Sequence, residues 1–129
     1  MGAQRIGRRL VTGLVAAAAA GVPAAAHHGW SWAEGEQTEL RGTVRDVYIG
    51  QPHPTLRVET PGDGIWIVEL ANPRQTASSG FSATSAKVGD PVIAYGNRSR
   101  AQGERRMKAV RITVGGRTYD IYPERVRSG

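Results

Sequence analysis

The chain has 129 residues, 17 of them basic and 11 acidic, with no cysteine and a formal net charge of +6. That length supports one modest core, and the missing cysteines exclude disulfides and thiolate chemistry. Arg5, Arg8 and Arg9 precede position 26 and every acidic residue follows it, so the remainder carries 14 − 11 = +3. Such mild basicity does not by itself argue for nucleic acid.

The first 26 residues have the anatomy of a secretory signal. The three arginines form a positive start, and residues 10–22 form an apolar run too short to span a bilayer permanently. Ala24 and Ala26 supply small residues three and one positions before a cut at His27, while Val22 and Ala24 would serve a cut after Ala24. The expectation is a periplasmic or secreted protein, with no nucleic-acid partner and no transmembrane span after cleavage. It divides into a signal at 1–26, an N-terminal arm at 27–37, a domain at 38–122 and a frayed tail at 123–129.

Residues 29–37 keep no period and read as an ordered arm, with Trp30 and Trp32 large enough to pin it. Residues 38–49 (TELRGTVRDVYI) form the first strong strand. Leu40 and Val44 share one parity and Val47 and Ile49 the other, which implies a bulge that Gly42 could permit. Pro52 and Pro54 make a loop around His53, since proline gives a sheet no donor. Residues 55–60 alternate cleanly, with Leu56 and Val58 inward. After the Pro61-Gly62-Asp63-Gly64 turn, residues 65–71 (IWIVELA) are apolar on both parities and read as the most buried strand, centred on Ile67.

Residues 72–90 break the rhythm and predict a short helix, near 74–79 or 82–86. A fourth strand follows at 91–97, a polar hairpin tip at 98–103, and a fifth strand at 106–114 with Val110, Ile112 and Val114 inward. Gly115-Gly116 turns the chain into a short sixth strand at 117–122. The expected fold is all-β: a small OB-like antiparallel Greek-key barrel of five or six strands with one short helix. A generic six-strand barrel fits the same order.

These residues resemble a proteobacterial family of small exported proteins known only as a domain of unknown function. The likeness is carried by His27-His28 after the alanines, Leu40-x-Gly42-x-Val44, Pro52-His53, Trp66-x-Val68-Glu69-Leu70, Gly80-Phe81 and Val88-Gly89-Asp90. Gln51 stands where that family's turn usually has asparagine. The resemblance implies an exported barrel-like domain and brings no established activity.

The three histidines, His27, His28 and His53, are the candidate metal ligands. If the cut falls before His27, its amine and imidazole can chelate one ion, and His28 or His53 adds a third nitrogen. That arrangement resembles the histidine brace of copper-dependent polysaccharide monooxygenases and some periplasmic copper carriers. Nitrogen donors without thiolate favour copper at the top of the Irving–Williams order. If Ala26 is retained, His28 becomes a third-position histidine, again a copper-type motif. The alternative is an exposed, mobile start and an ordinary loop histidine.

Arg98, Arg100, Arg105 and Arg106 form a basic hairpin that could meet an anionic surface or another periplasmic protein. The carboxylates are scattered without a recognisable acid/base pair, and no nucleophile motif or phosphate loop is present. The reading is therefore a copper-binding carrier or accessory protein rather than a catalyst. Its alternative is a ligand- or partner-binding module using the barrel face and the basic hairpin.

Overall fold

The computed structural model describes residues 29–127. The proposed signal peptide, His27 and His28 therefore lie outside the described residues. The chain divides into two units, residues 1–31 and 32–129. Of the first, Gly29, Trp30 and Ser31 are described and lie in a turn. The second unit holds the sheet.

Six strands form it: β1 (Ala33–Tyr48), β2 (Thr55–Thr60), β3 (Gly64–Glu69), β4 (Pro91–Ser99), β5 (Arg106–Val114) and β6 (Arg117–Asp120). Their order is β3-β2-β1-β4-β5-β6, with every neighbour antiparallel. A further parallel pairing joins β3 to β5 through Ile67↔Arg106, Val68↔Met107 and Glu69↔Lys108. Five strands thus close a circuit, and β6 extends it beside β5.

Alternation explains the core. Leu56 and Val58 of β2 stand opposite Val68 and Trp66 of β3, and Leu56, Val58 and Val68 are fully buried. Leu40 and Val44 of β1 and Met107, Ile112 and Val114 of β5 add to the same interior. Each such side chain contributes roughly 1.5–3 kcal/mol relative to exposure. Ile67 is only half-buried and Ile65 is exposed, so β3 is not the most buried strand. That place belongs to β5, which runs between β4 and β6 and also meets β3.

The first strand begins at Ala33, not Thr38. Residues 33–37 carry no apolar alternation, and hydrogen bonds hold them instead: Asn97 Nδ2 donates to the carbonyls of Glu34 and Glu36, at 2.8 and 3.3 Å. The expected bulge exists, but between Val44 and Asp46 rather than at Gly42. Gly42 has a different role, because a Cβ there would meet the Glu59 carbonyl oxygen at 2.3 Å. A second irregularity, between Tyr95 and Gly96, leaves Val110 of β5 without a partner on β4. Its carbonyl accepts from Ile121 and Tyr122 at 2.9 and 3.1 Å, which draws the chain after β6 back onto β5.

The single short α-helix among the described residues is α1 (Pro73–Ser78), inside the expected stretch. Asn72 caps it by accepting from Gln75 N at 2.8 Å, and Pro73 opens the first turn. No described helix is long and apolar enough to cross a membrane. The tail is not frayed over its described part. A 3-10 turn (Pro123–Arg125) follows β6, Gln37 Nε2 donates to the Arg125 carbonyl at 2.7 Å, and Arg127 reaches the Gly35 carbonyl at 3.0 Å.

Candidate functional site

A strand read for its apolar residues hides the charges it carries. Glu69 closes β3 and Lys108 lies within β5, and the parallel pairing makes them register partners. Their neighbours Val68 and Met107 point into the core, so alternation sends Glu69 and Lys108 to the opposite face. That face is not open to water. Lys108 is 1% exposed and Glu69 8%.

Lys108 Nζ donates to Glu69 Oε1 at 2.8 Å, and Arg106 Nη2 donates to Oε2 at 2.9 Å. Both carboxylate oxygens are thus engaged by cations. Arg106 also stacks on Trp32, with its guanidinium carbon 3.7 Å from the ring centroid. Lys108 Nζ lies 5.8 Å from the centroid of Tyr122, in the segment that the Val110 carbonyl draws in.

His53 joins this cluster. The loop between β1 and β2 contains a cis peptide bond between Gln51 and Pro52, and the Tyr48 hydroxyl donates to the Gln51 carbonyl. Its far end is tied to the residue after β3 by a 2.9 Å hydrogen bond from Leu70 N to the Pro54 carbonyl. The result sets His53 Nδ1 3.8 Å from Glu69 Oε1, an ion-pair distance and too long for a hydrogen bond. The side chain is 25% exposed, so it lies where the cluster meets solvent.

The electrostatics follow from this crowding. Burial pushes the Glu69 carboxyl up, but the hydrogen bonds and charges of Lys108 and Arg106 together outweigh it and hold the group below its ordinary value. Glu69 with its two cations sums to +1 before His53 is counted. The Tyr122 hydroxyl is pushed up to about 12, by burial first and then by the negative charge of Glu69.

Of the three candidate ligands, His53 alone falls within the described residues, and it lies beside a carboxylate that two cations hold. Among the described residues no three of His, Cys, Asp and Glu come together in a way that could hold a metal ion. Glu69, Lys108, Arg106 and Tyr122 were not read as a group from the sequence. The available signal was Glu69 at the end of the otherwise apolar β3 and Lys108 between the apolar Met107 and Ala109 of β5.

The basic hairpin is largely engaged within the chain. Arg98 lies 4.8 Å over the Trp66 ring and donates to Thr38 Oγ1, and Arg100 donates to the Ala33 carbonyl at 2.8 Å. Arg105 pairs with Asp63 at 3.3 Å, and Arg106 is held by Glu69 and Trp32.

No curated protein matches the chain. Residues 15–108 match the family of unknown function DUF6152, a span that takes in His27, His28, His53, Glu69 and Lys108, and the chain belongs to that family.

Proposed function

We propose that this is an exported copper-binding protein, periplasmic or secreted, acting as a carrier or accessory rather than as a catalyst. The observation that carries the reading is the carboxylate behind His53. Histidines that bind metals commonly have a carboxylate beside the other ring nitrogen, and Glu69 stands on that side of His53, 3.8 Å from Nδ1, near enough for electrostatic attraction though not for a hydrogen bond. Two cations hold that carboxylate ionised, which suits it to orient an imidazole rather than to bind metal itself.

A site built on His53 needs further donors from outside the described residues. His27 and His28 enter on the sequence argument: an export signal ending at Ala26 would free an amine beside an imidazole. Three nitrogens without a thiolate suit copper, whose binding near neutral pH releases protons. The strand circuit, with β3 parallel to β5 and a helix between β3 and β4, supports an OB-like Greek-key barrel as the scaffold. The alternative, a ligand- or partner-binding module using the basic hairpin, has less support because its arginines are engaged within the chain.

The test is a Cu(II) titration of exported protein whose first residue has been established by intact mass. A start at His27 with tight binding is expected. His53→Ala should weaken binding, and one extra residue before His27 should weaken it more. If both variants bind copper like the parent, the reading is wrong.

A further inference from the structure

Opposite the chemistry of His53 in kind, a polar cleft of about 450 Å³ lies between the loop after α1 and the β5–β6 turn. Its volume falls within the range of roughly 300–1,000 Å³ usual for small-molecule sites. Lys87 and Arg117 line it, together with the hydroxyls of Ser82, Thr84 and Ser85 and the carboxylate of Asp90. We propose that this cleft binds a phosphate group, through Lys87, Arg117 and the hydroxyls.

The argument rests on donors that have no acceptor. Lys87 and Arg117 are exposed and form no ion pair among the described residues. The guanidinium of Arg117 lies 5.7 Å from the Tyr119 ring centroid, a contact that leaves its N–H fork available. Ser85 Oγ accepts from Ser82 N at 2.8 Å, so its own hydrogen points elsewhere. Ser82 Oγ and Thr84 Oγ1 share one hydrogen bond at 3.1 Å, which uses one of their two hydrogens. Two hydroxyl hydrogens and two cations of the lining residues therefore have no acceptor among the described residues.

The one carboxylate is partly engaged, since Asp90 Oδ2 accepts from Lys87 N at 2.9 Å. The formal balance of the lining is +1. Four donor groups are more than the two oxygens of a carboxylate ligand need. A phosphate offers three acceptor oxygens and about −1.5 to −2 charge at neutral pH, which matches them better. The polar lining excludes an apolar ligand.

The experiment is an amide NMR titration of the processed protein with inorganic phosphate. Saturable shifts confined to residues 82–90 and 115–119 are expected. Arg117→Gln and Lys87→Gln, both at exposed positions, should each weaken binding, and the double variant should lose about tenfold or more. Asp90→Asn should strengthen it by removing the opposing charge. A second arm uses vesicles of phosphatidylglycerol in phosphatidylcholine against phosphatidylcholine alone, which separates a lipid headgroup from a soluble phosphate. A saturable, Arg117-dependent response in either arm upholds the site. Non-saturable shifts, or a double variant that binds like the parent, overturn it.

Discussion

Lys108 Nζ lies 2.8 Å from Glu69 Oε1 across the parallel pairing of β5 with β3, and the lysine is 1% exposed. A charge so placed is tolerated because its partner is in place. Glu69→Ala removes the partner and leaves the ammonium buried, which should cost about 3–5 kcal/mol. Replacing both residues together, as Glu69→Leu with Lys108→Met, should cost much less than the single change. Urea unfolding of the three proteins checks this, and equal losses in the single and double variants would refute it.

The same carboxylate gives an acid limb to stability. Its folded pKa is depressed, so the contribution is complete above the unfolded glutamate value near 4.3 and is lost as pH falls through the lower folded value. Thermal unfolding followed from pH 6 to about 3 should therefore show a loss in the parent that Glu69→Gln reduces.

Tyr122 gives an alkaline limb of opposite origin. Its hydroxyl ionises near pH 10 when unfolded and is pushed up to about 12 in the fold, first by burial and then by Glu69. Stability is thus complete below the unfolded value and falls as pH rises toward the folded one. Tyr122→Phe should flatten that decline, measured by denaturant unfolding between those two pH values.

Packing makes a sharper distinction between neighbours. Leu56 is fully buried, and Leu56→Ala should cost about 2–5 kcal/mol. Ile67, half-buried on the opposite face of the ring wall, should cost roughly half of that or less on the same change. Equal losses would move Ile67 into the core.

Gly96 is a position where a single methyl group has no room. A Cβ there would meet the Lys108 carbonyl oxygen at 2.0 Å and Ala109 Cα at 2.8 Å, both backbone atoms that cannot swing aside. Gly96→Ala should therefore cost at least about 2 kcal/mol. Gly35→Ala, with nothing within 4 Å of the new atom, is the control and should be near neutral.

Much of this sheet was legible because most strands alternate. Leu56 and Val58 in β2, and Ile112 and Val114 in β5, declare their inner face through spacing alone. Glu34 to Gln37 did not, because β4 holds this polar stretch by the Asn97 amide on the Glu34 and Glu36 carbonyls rather than by apolar burial. The tail misled for a similar reason: its ties run through the Arg125 carbonyl and the Arg127 side chain, which leave no pattern in sequence. His53 was found as a residue, but its setting was not. Glu69 and Lys108 are 39 positions apart, and only the closure of β3 on β5 makes them neighbours.

That closure is short, three residue pairs long, and a seam so brief invites slippage. A shift of β5 by one position would send Lys108 inward against Leu56 and Val58 and turn Met107 out to the polar side. The misaligned sheet would then hold an unpaired ammonium in its interior and leave Glu69 without its lysine. The charged pair thus works as a key cut for a single lock: the wrong alignment is rejected by the cost of a stranded charge, even where apolar contacts alone would accept it.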